Sequence, residues 1–234
     1  MQASERHPDG VVRVRADNPS ALTLDGTNTY VFEGWIVDPG PADDEHLAAV
    51  REAVGGDPEG IVLTHSHADH AEGAEHFGVP VTLPREGDEV GPFSVLATPG
   101  HSADSVCLVS AGLCFTGDTV LGTGSVFIAP GEGSLSAYLD SLRRLRELEL
   151  ATLCPGHGPY VWDPRAKFDE YIDHRLERER RLIEALDAGL RGRDDLLDAA
   201  WPEVPAELRP AAALTLAAHL EKLVEEGRMP EDAG

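Results

Sequence analysis

THSHADH, Thr64 to His70, packs three histidines and an aspartate into seven residues. Neutral imidazole and carboxylate are good ligands for zinc and similar divalent ions, and the pattern HxHxDH offers His65, His67, Asp69 and His70 on one turn. In a chain of this composition such a set arises by chance in roughly one or two cases per thousand, so the reading needs support from elsewhere. Three later stretches supply it. TPGHS presents His101, FTGDT presents Asp118 and CPGHGP presents His157, each directly after an apolar, strand-like run. Where neighbouring strands run parallel, the loops after their C-terminal ends gather at one edge of the sheet, where open α/β sheets bind ligands. Gly100, Gly117, Gly156 and Gly158 flank the candidate ligands and permit the tight turns that bring side chains to one point. His7, His46, His76, His174 and His219 have no such context and read as structural or solvated.

The surrounding pattern sets the fold class. VVRVRA, TNTYVFEG, WIVDPG, GIVLT, VPVTL, FSVLATPG, SVCLVS and LCFTGD are short apolar runs bounded by Gly, Pro and Asp, and they predict strands. DDEHLAAVREAV and SLSAYLDSLRRLREL carry apolar residues at helical spacing and predict amphipathic helices over a sheet. The first 163 residues therefore read as a layered domain of sheets and helices. From Pro164 the pattern turns helical for about 25 residues, with Phe168, Tyr171, Ile172, Leu176, Ile183 and Leu186 on the expected inner face. DDLLDAAW and PAAALTLAAHLEKLVEEGR predict two more helices, the last stopped by Gly227. Residues 164–234 thus form a second, helical domain of helix-turn-helix or winged-helix kind. The interleaved charges of HRLERERR, His174 to Arg181, predict a solvated helix surface more than an RNA-binding patch.

Composition bounds the partners. The 234 residues carry 42 acidic and 19 basic side chains, a net charge of −23, which repels nucleic acid and anionic membrane. Cys107, Cys114 and Cys154 are odd in number and lack CxxC spacing, so they predict buried thiols rather than disulfides or a cysteine zinc site. The opening MQASERHPDG has no apolar core of an export signal, and no long uncharged apolar stretch follows, so the expected location is cytoplasmic with no membrane partner.

Taken together, HxHxDH, a later His, an Asp and a final His in that order resemble the metallo-β-lactamase superfamily. The resemblance implies an α+β fold, the four-layer αββα sandwich, holding two metal ions, usually zinc, with manganese or iron as alternatives. It implies that His65, His67 and His101 hold one metal, that Asp69, His70 and His157 hold the other, and that Asp118 bridges them. GTNTYVFE, VDPG, FTGDTVLG, PGHGP and the HLEKLVEEGR tail are similar to the β-lactamase-like protein 2 family, whose members carry a winged-helix-like appendage. An animal member of that family is an endoribonuclease. Two such ions lower the pKa of a shared water toward about 7, and Asp69 and Asp118 are the residues expected to orient it as the attacking group. The first expectation is a dinuclear hydrolase of small acyl esters, thioesters or lactones. Endoribonuclease action on single-stranded RNA is the second, and the net charge weighs against it. The third is a non-catalytic, metal-dependent regulator that binds nucleic acid. For the C-terminal helices the expectation is a lid over the active site or a homodimer surface.

Overall fold

A computed structural model describes residues 6–229 of the chain. The chain folds as two compact units. One comprises the chain to Thr98, Asp104–Gly124 and Glu149–Pro164; the other comprises Pro99–Ala103, Ser125–Leu148 and the chain from Arg165. Composition suggests a single cut after Asp163, but packing groups two earlier segments with the C-terminal helices. A shift in composition follows chain order, whereas a unit is defined by what its side chains touch.

The first unit holds two mixed five-stranded sheets. In one, β1 (Val11–Arg15), β2 (Asn28–Phe32) and β3 (Trp35–Val37) pair antiparallel, and β4 (Gly60–Val62) and β5 (Val81–Thr82) continue parallel to β3. In the other, β6 (Glu89–Val90), β7 (Phe93–Ala97), β8 (Val106–Ser110) and β9 (Leu113–Gly117) pair antiparallel in turn, and β10 (Thr152–Pro155) runs parallel to β9. Two antiparallel steps leave β7, β9 and β10 pointing the same way, so their C-terminal loops emerge at one edge.

Alternation along the strands divides the core. Val37 and Val62 face the second sheet, in a cluster with Tyr30, Phe32, Phe93, Phe115 and Cys154. The rings of Tyr30, Phe32 and Phe93 pack against Phe115 with centroids 5.4–5.8 Å apart. Ile36 and Ile61, one residue out of phase, turn to the opposite face and meet Val50 of α1 (Asp44–Val54). That helix starts where the Asp43 carboxylate accepts the His46 amide and stops at Gly55 in the left-handed region, φ 71°. All three cysteines are buried free thiols, as expected.

The second unit is helical. It holds α3 (Leu135–Arg146), the long α4 (Pro164–Asp187), α5 (Arg193–Ala200) and α6 (Arg209–Glu225), numbered after the four-residue α2 (Ala68–Ala71) of the first unit. Leu182, Leu186, Leu196, Leu197, Trp201, Leu216 and Leu223 form its core. No strand follows α5 or α6 among the described residues. The residues from Pro230 onward, part of the acidic tail, lie outside those described.

One expectation for α4 fails. Phe168, Tyr171 and Leu186 are buried as expected, but Leu176 is 40% exposed, while Arg175 is 1% and Arg178 5% exposed. The two arginines turn inward because each finds main-chain acceptors: Arg175 donates to the Val126 carbonyl, and Arg178 to the Ala200 carbonyl and the Glu203 carboxylate. Farther along, Arg180 pairs with Glu177 and Glu184, and Arg181 with Glu177, the solvated pattern the interleaved charges suggest. Among the described residues no helix is long and apolar enough to cross a membrane.

Candidate metal centre

Three of the loops at the sheet edge meet. The end of β4 delivers Thr64 and His65; α2 and the turn before it carry His67, Asp69 and His70; β9 ends at Asp118; and β10 runs into His157. Close approach requires small residues here. A Cβ on Gly117 (φ 46°) would lie 2.2 Å from the Thr64 hydroxyl, and one on Gly156 would lie 2.6 Å from His70 Cε1 and 2.8 Å from Asp118 Oδ1.

Hydrogen bonds fix which nitrogen each imidazole presents. Asp38, buried at the end of β3, accepts the Thr64 amide on Oδ1 at 2.7 Å and the Thr64 hydroxyl on Oδ2 at 2.6 Å. The single hydroxyl proton of Thr64 is thereby committed. At 3.0 Å from His65 Nδ1 the hydroxyl oxygen can only accept, so that nitrogen carries the proton. His70 Nδ1 donates to Asp38 Oδ2 at 2.9 Å, and His157 Nδ1 to the Gly26 carbonyl at 3.3 Å. In all three rings Nε2 is left to face the cluster. This is the arrangement by which outer carboxylates and carbonyls orient metal-binding histidines.

The donors then converge. His70 Nε2 and His157 Nε2 stand 3.3 Å apart. Asp118 Oδ1 is 3.4 Å from the first and 3.2 Å from the second, and Asp69 Oδ2 is 3.5 and 3.4 Å from them. Two imidazole lone pairs at that distance repel unless a proton or cation lies between them. Four donors at the 2.0–2.1 Å of zinc–nitrogen and zinc–oxygen bonds stand about 3.3 Å apart on a tetrahedron. The residues present therefore fit a divalent metal ion. His65 and His67 continue the cluster, with ring centroids 4.6 Å apart and His65 4.3 Å from His70.

Burial alone would lower the His70 pKa and raise that of Asp118. Their mutual attraction reverses both: with Asp38 also pressing on His70, its imidazole is held well above the usual histidine range. Asp118, beside His70 and His157, is held well below the usual carboxylate range.

Neighbours hold the outer parts in place. The Thr27 hydroxyl donates to Asp69 Oδ2 at 3.0 Å, and Asn18 grips both the amide and the hydroxyl of Thr27. Asn28 is fully buried and donates to the carbonyls of Pro155 and Gly158, 2.9 Å each, clamping the His157 loop. Thr119 is buried against Thr98, hydroxyl to hydroxyl at 3.0 Å. Asp38 was missed as a functional residue, although the VDPG it belongs to stands out at the end of a strand-like run.

His101 groups with the second unit. Its Nδ1 donates to the Phe127 carbonyl at 3.0 Å, so this histidine too presents Nε2. The ends of its loop lie in the first unit: Thr98 bonds to Ser105, and Asp104 accepts the amide of Ser66, between His65 and His67.

A family model of the metallo-β-lactamase superfamily matches residues 22–79 and 79–157, and one of the β-lactamase-associated winged helix domain matches residues 193–234. A β-lactamase-like protein 2 homolog of Caenorhabditis elegans is 30% identical over 264 residues, covering 97% of this chain and 88% of that protein. An atrochrysone carboxyl ACP thioesterase of Aspergillus chevalieri is 34% identical over 205 residues, covering 75% of this chain and 65% of that one. A β-lactamase domain protein from Burkholderia ambifaria, known from its crystal structure, shares the fold with a TM-score of 0.80 at 20% identity, covering 98% of this chain and 90% of that one.

Proposed function

This chain belongs to the metallo-β-lactamase superfamily and carries that fold's His/Asp metal-binding cluster; from there we propose that it is a dinuclear hydrolase of small acyl thioesters. The observation that carries the reading is the facing pair of Nε2 atoms, His70 and His157, closed on either side by Asp69 and Asp118. In the proposal His101 joins His65 and His67 as the second histidine trio. Asp104, which follows its short loop, accepts the amide of Ser66 between the other two, and His101 presents Nε2 as His65 does. Asp118 then lies between the two sets. Zinc suits an all-nitrogen-and-oxygen donor set, and manganese and iron are the other candidates.

When bound, a pair of divalent ions supplies a water of pKa near 7 and polarises a carbonyl oxygen. The chain's own residues do the rest. Asp69 and Asp118 would accept hydrogen bonds from that water and orient it, the Thr27 hydroxyl fixes the Asp69 carboxylate, and Asp38 keeps His70 and His65 in the required tautomers. The thioester substrate is supported by likeness to a protein named as an ACP thioesterase. RNA is the weaker reading, because Arg180 and Arg181 of α4 pair with Glu177 and Glu184 while Arg175 and Arg178 point inward. The partner we propose is accordingly a small acyl substrate.

The test is thiol release from acyl-CoA and acyl-N-acetylcysteamine, beside cleavage of single-stranded RNA. We expect thiol release that falls about 10²–10⁴-fold in Asp69→Ala, the range of a lost water-orienting carboxylate. RNA cleavage without thioester turnover would overturn the substrate assignment.

A further inference from the structure

The inward turn of Arg175 leaves a charge to be explained. Arg175 is 1% exposed, its Nη2 donates to the Val126 carbonyl, and its guanidinium lies 5.5 Å over the Tyr138 ring. Its Nε–H has no hydrogen-bond partner, and among the described residues no carboxylate pairs with it. The neighbouring cations differ: Arg178 has Glu203, and Lys222 has Glu179 and Glu226. A buried charge without a counter-ion is costly, and an anion is what would relieve it.

Space for one adjoins it. A cavity of about 150 Å³ lies within the helical unit, lined by Val126, Phe127, Arg175, Trp201, Val204 and Ala212 among others. Apart from the cationic groups its walls are mainly apolar. We propose that this cavity binds a small monocarboxylate, with the carboxylate on Arg175 and a short apolar tail against Trp201, Val204 and Ala212. The volume suits a molecule of about benzene size. Phosphate is disfavoured because the walls are mainly apolar and Arg178 and Thr215 are already bonded to other acceptors, and a nucleotide is too large. The surroundings are also net cationic: burial, together with Arg175 and Arg178, lowers the His174 pKa to about 4, and burial with Arg175 and Lys222 lowers that of His219.

Occupancy has a consequence for the metal centre, which rests on the proposed role of His101. The Val126 carbonyl holds Arg175, and the next carbonyl, that of Phe127, orients His101. A carboxylate that draws Arg175 away loosens the strap that positions the histidine, so the site is one for an effector. Binding itself does not depend on that role.

The test is calorimetric titration of the metal-loaded full-length chain with butyrate and with its neutral analogue butyramide, in wild type, Arg175→Met and Ala212→Leu. We expect saturable one-to-one binding of butyrate, binding of butyramide at least tenfold weaker, and loss of butyrate binding in both variants. Ala212→Leu fills the cavity while leaving Arg175 and every proposed metal ligand in place, so it decides the matter if Arg175→Met fails to fold. No saturable binding of butyrate, equal binding of butyramide, or butyrate binding that survives Ala212→Leu and so sits at the metal centre would each overturn the proposal.

Discussion

Asp38 takes a backbone φ of 50°, a left-handed conformation that aspartate and asparagine adopt more readily than most residues. Asp38→Asn therefore keeps the shape and removes the charge that orders Thr64, His65 and His70. Metal affinity in a competition with a chelator should fall about 10–100-fold, with thermal stability much less affected. An unchanged affinity would mean that the histidines hold their orientation without it. Gly156→Ala should also weaken metal binding, since its methyl group would press on both His70 and Asp118; metal content after dialysis is the check. His65, His67, Asp69, His70, His101, Asp118 and His157 stand out in the sequence as candidates because their residue types and spacing are chemically restrictive. Asp38 was not, because its role depends on a hydroxyl relay between residues 26 positions apart, which no local pattern encodes.

Elements decide whether those residues stay together. The His157 loop is held by Asn28 at the start of β2, whose side chain bonds to two carbonyls of the loop while its own amide bonds to Gly156. Asn28→Ala leaves those carbonyls unsatisfied and should cost about 1–3 kcal/mol in urea unfolding. It should lower metal affinity as well, whereas a purely structural role would leave affinity unchanged. Most strands were readable as apolar runs between turn residues. The two-residue β6 was not, being too short to show alternation. On α4 the helical period and most of the inner face were right and Leu176 was not, because a pattern of apolar residues cannot show that Arg175 and Arg178 find carbonyls inside.

At the scale of the whole molecule, acid should loosen the helical unit before it reaches ordinary carboxylates. His174, at about 4, and His219, lower than usual, are neutral when folded but bind protons near pH 6.5 when unfolded. Their contribution to stability is complete above pH 6.5 and is lost as pH falls toward 4. The urea midpoint should therefore drop between pH 7 and pH 5, and His219→Phe should flatten that drop; a steeper drop in the variant would contradict the assignment. The change in composition at Pro164 follows chain order, whereas the grouping of Ser125–Leu148 with the C-terminal helices comes from contact between segments distant in the chain, which sequence order conceals. The most direct test of the whole account is the metal content of purified wild type and His157→Ala, measured by plasma mass spectrometry. We expect two equivalents of a divalent transition metal per chain, falling to one or fewer in the variant. No bound metal in the wild type, or identical content in both proteins, would contradict it.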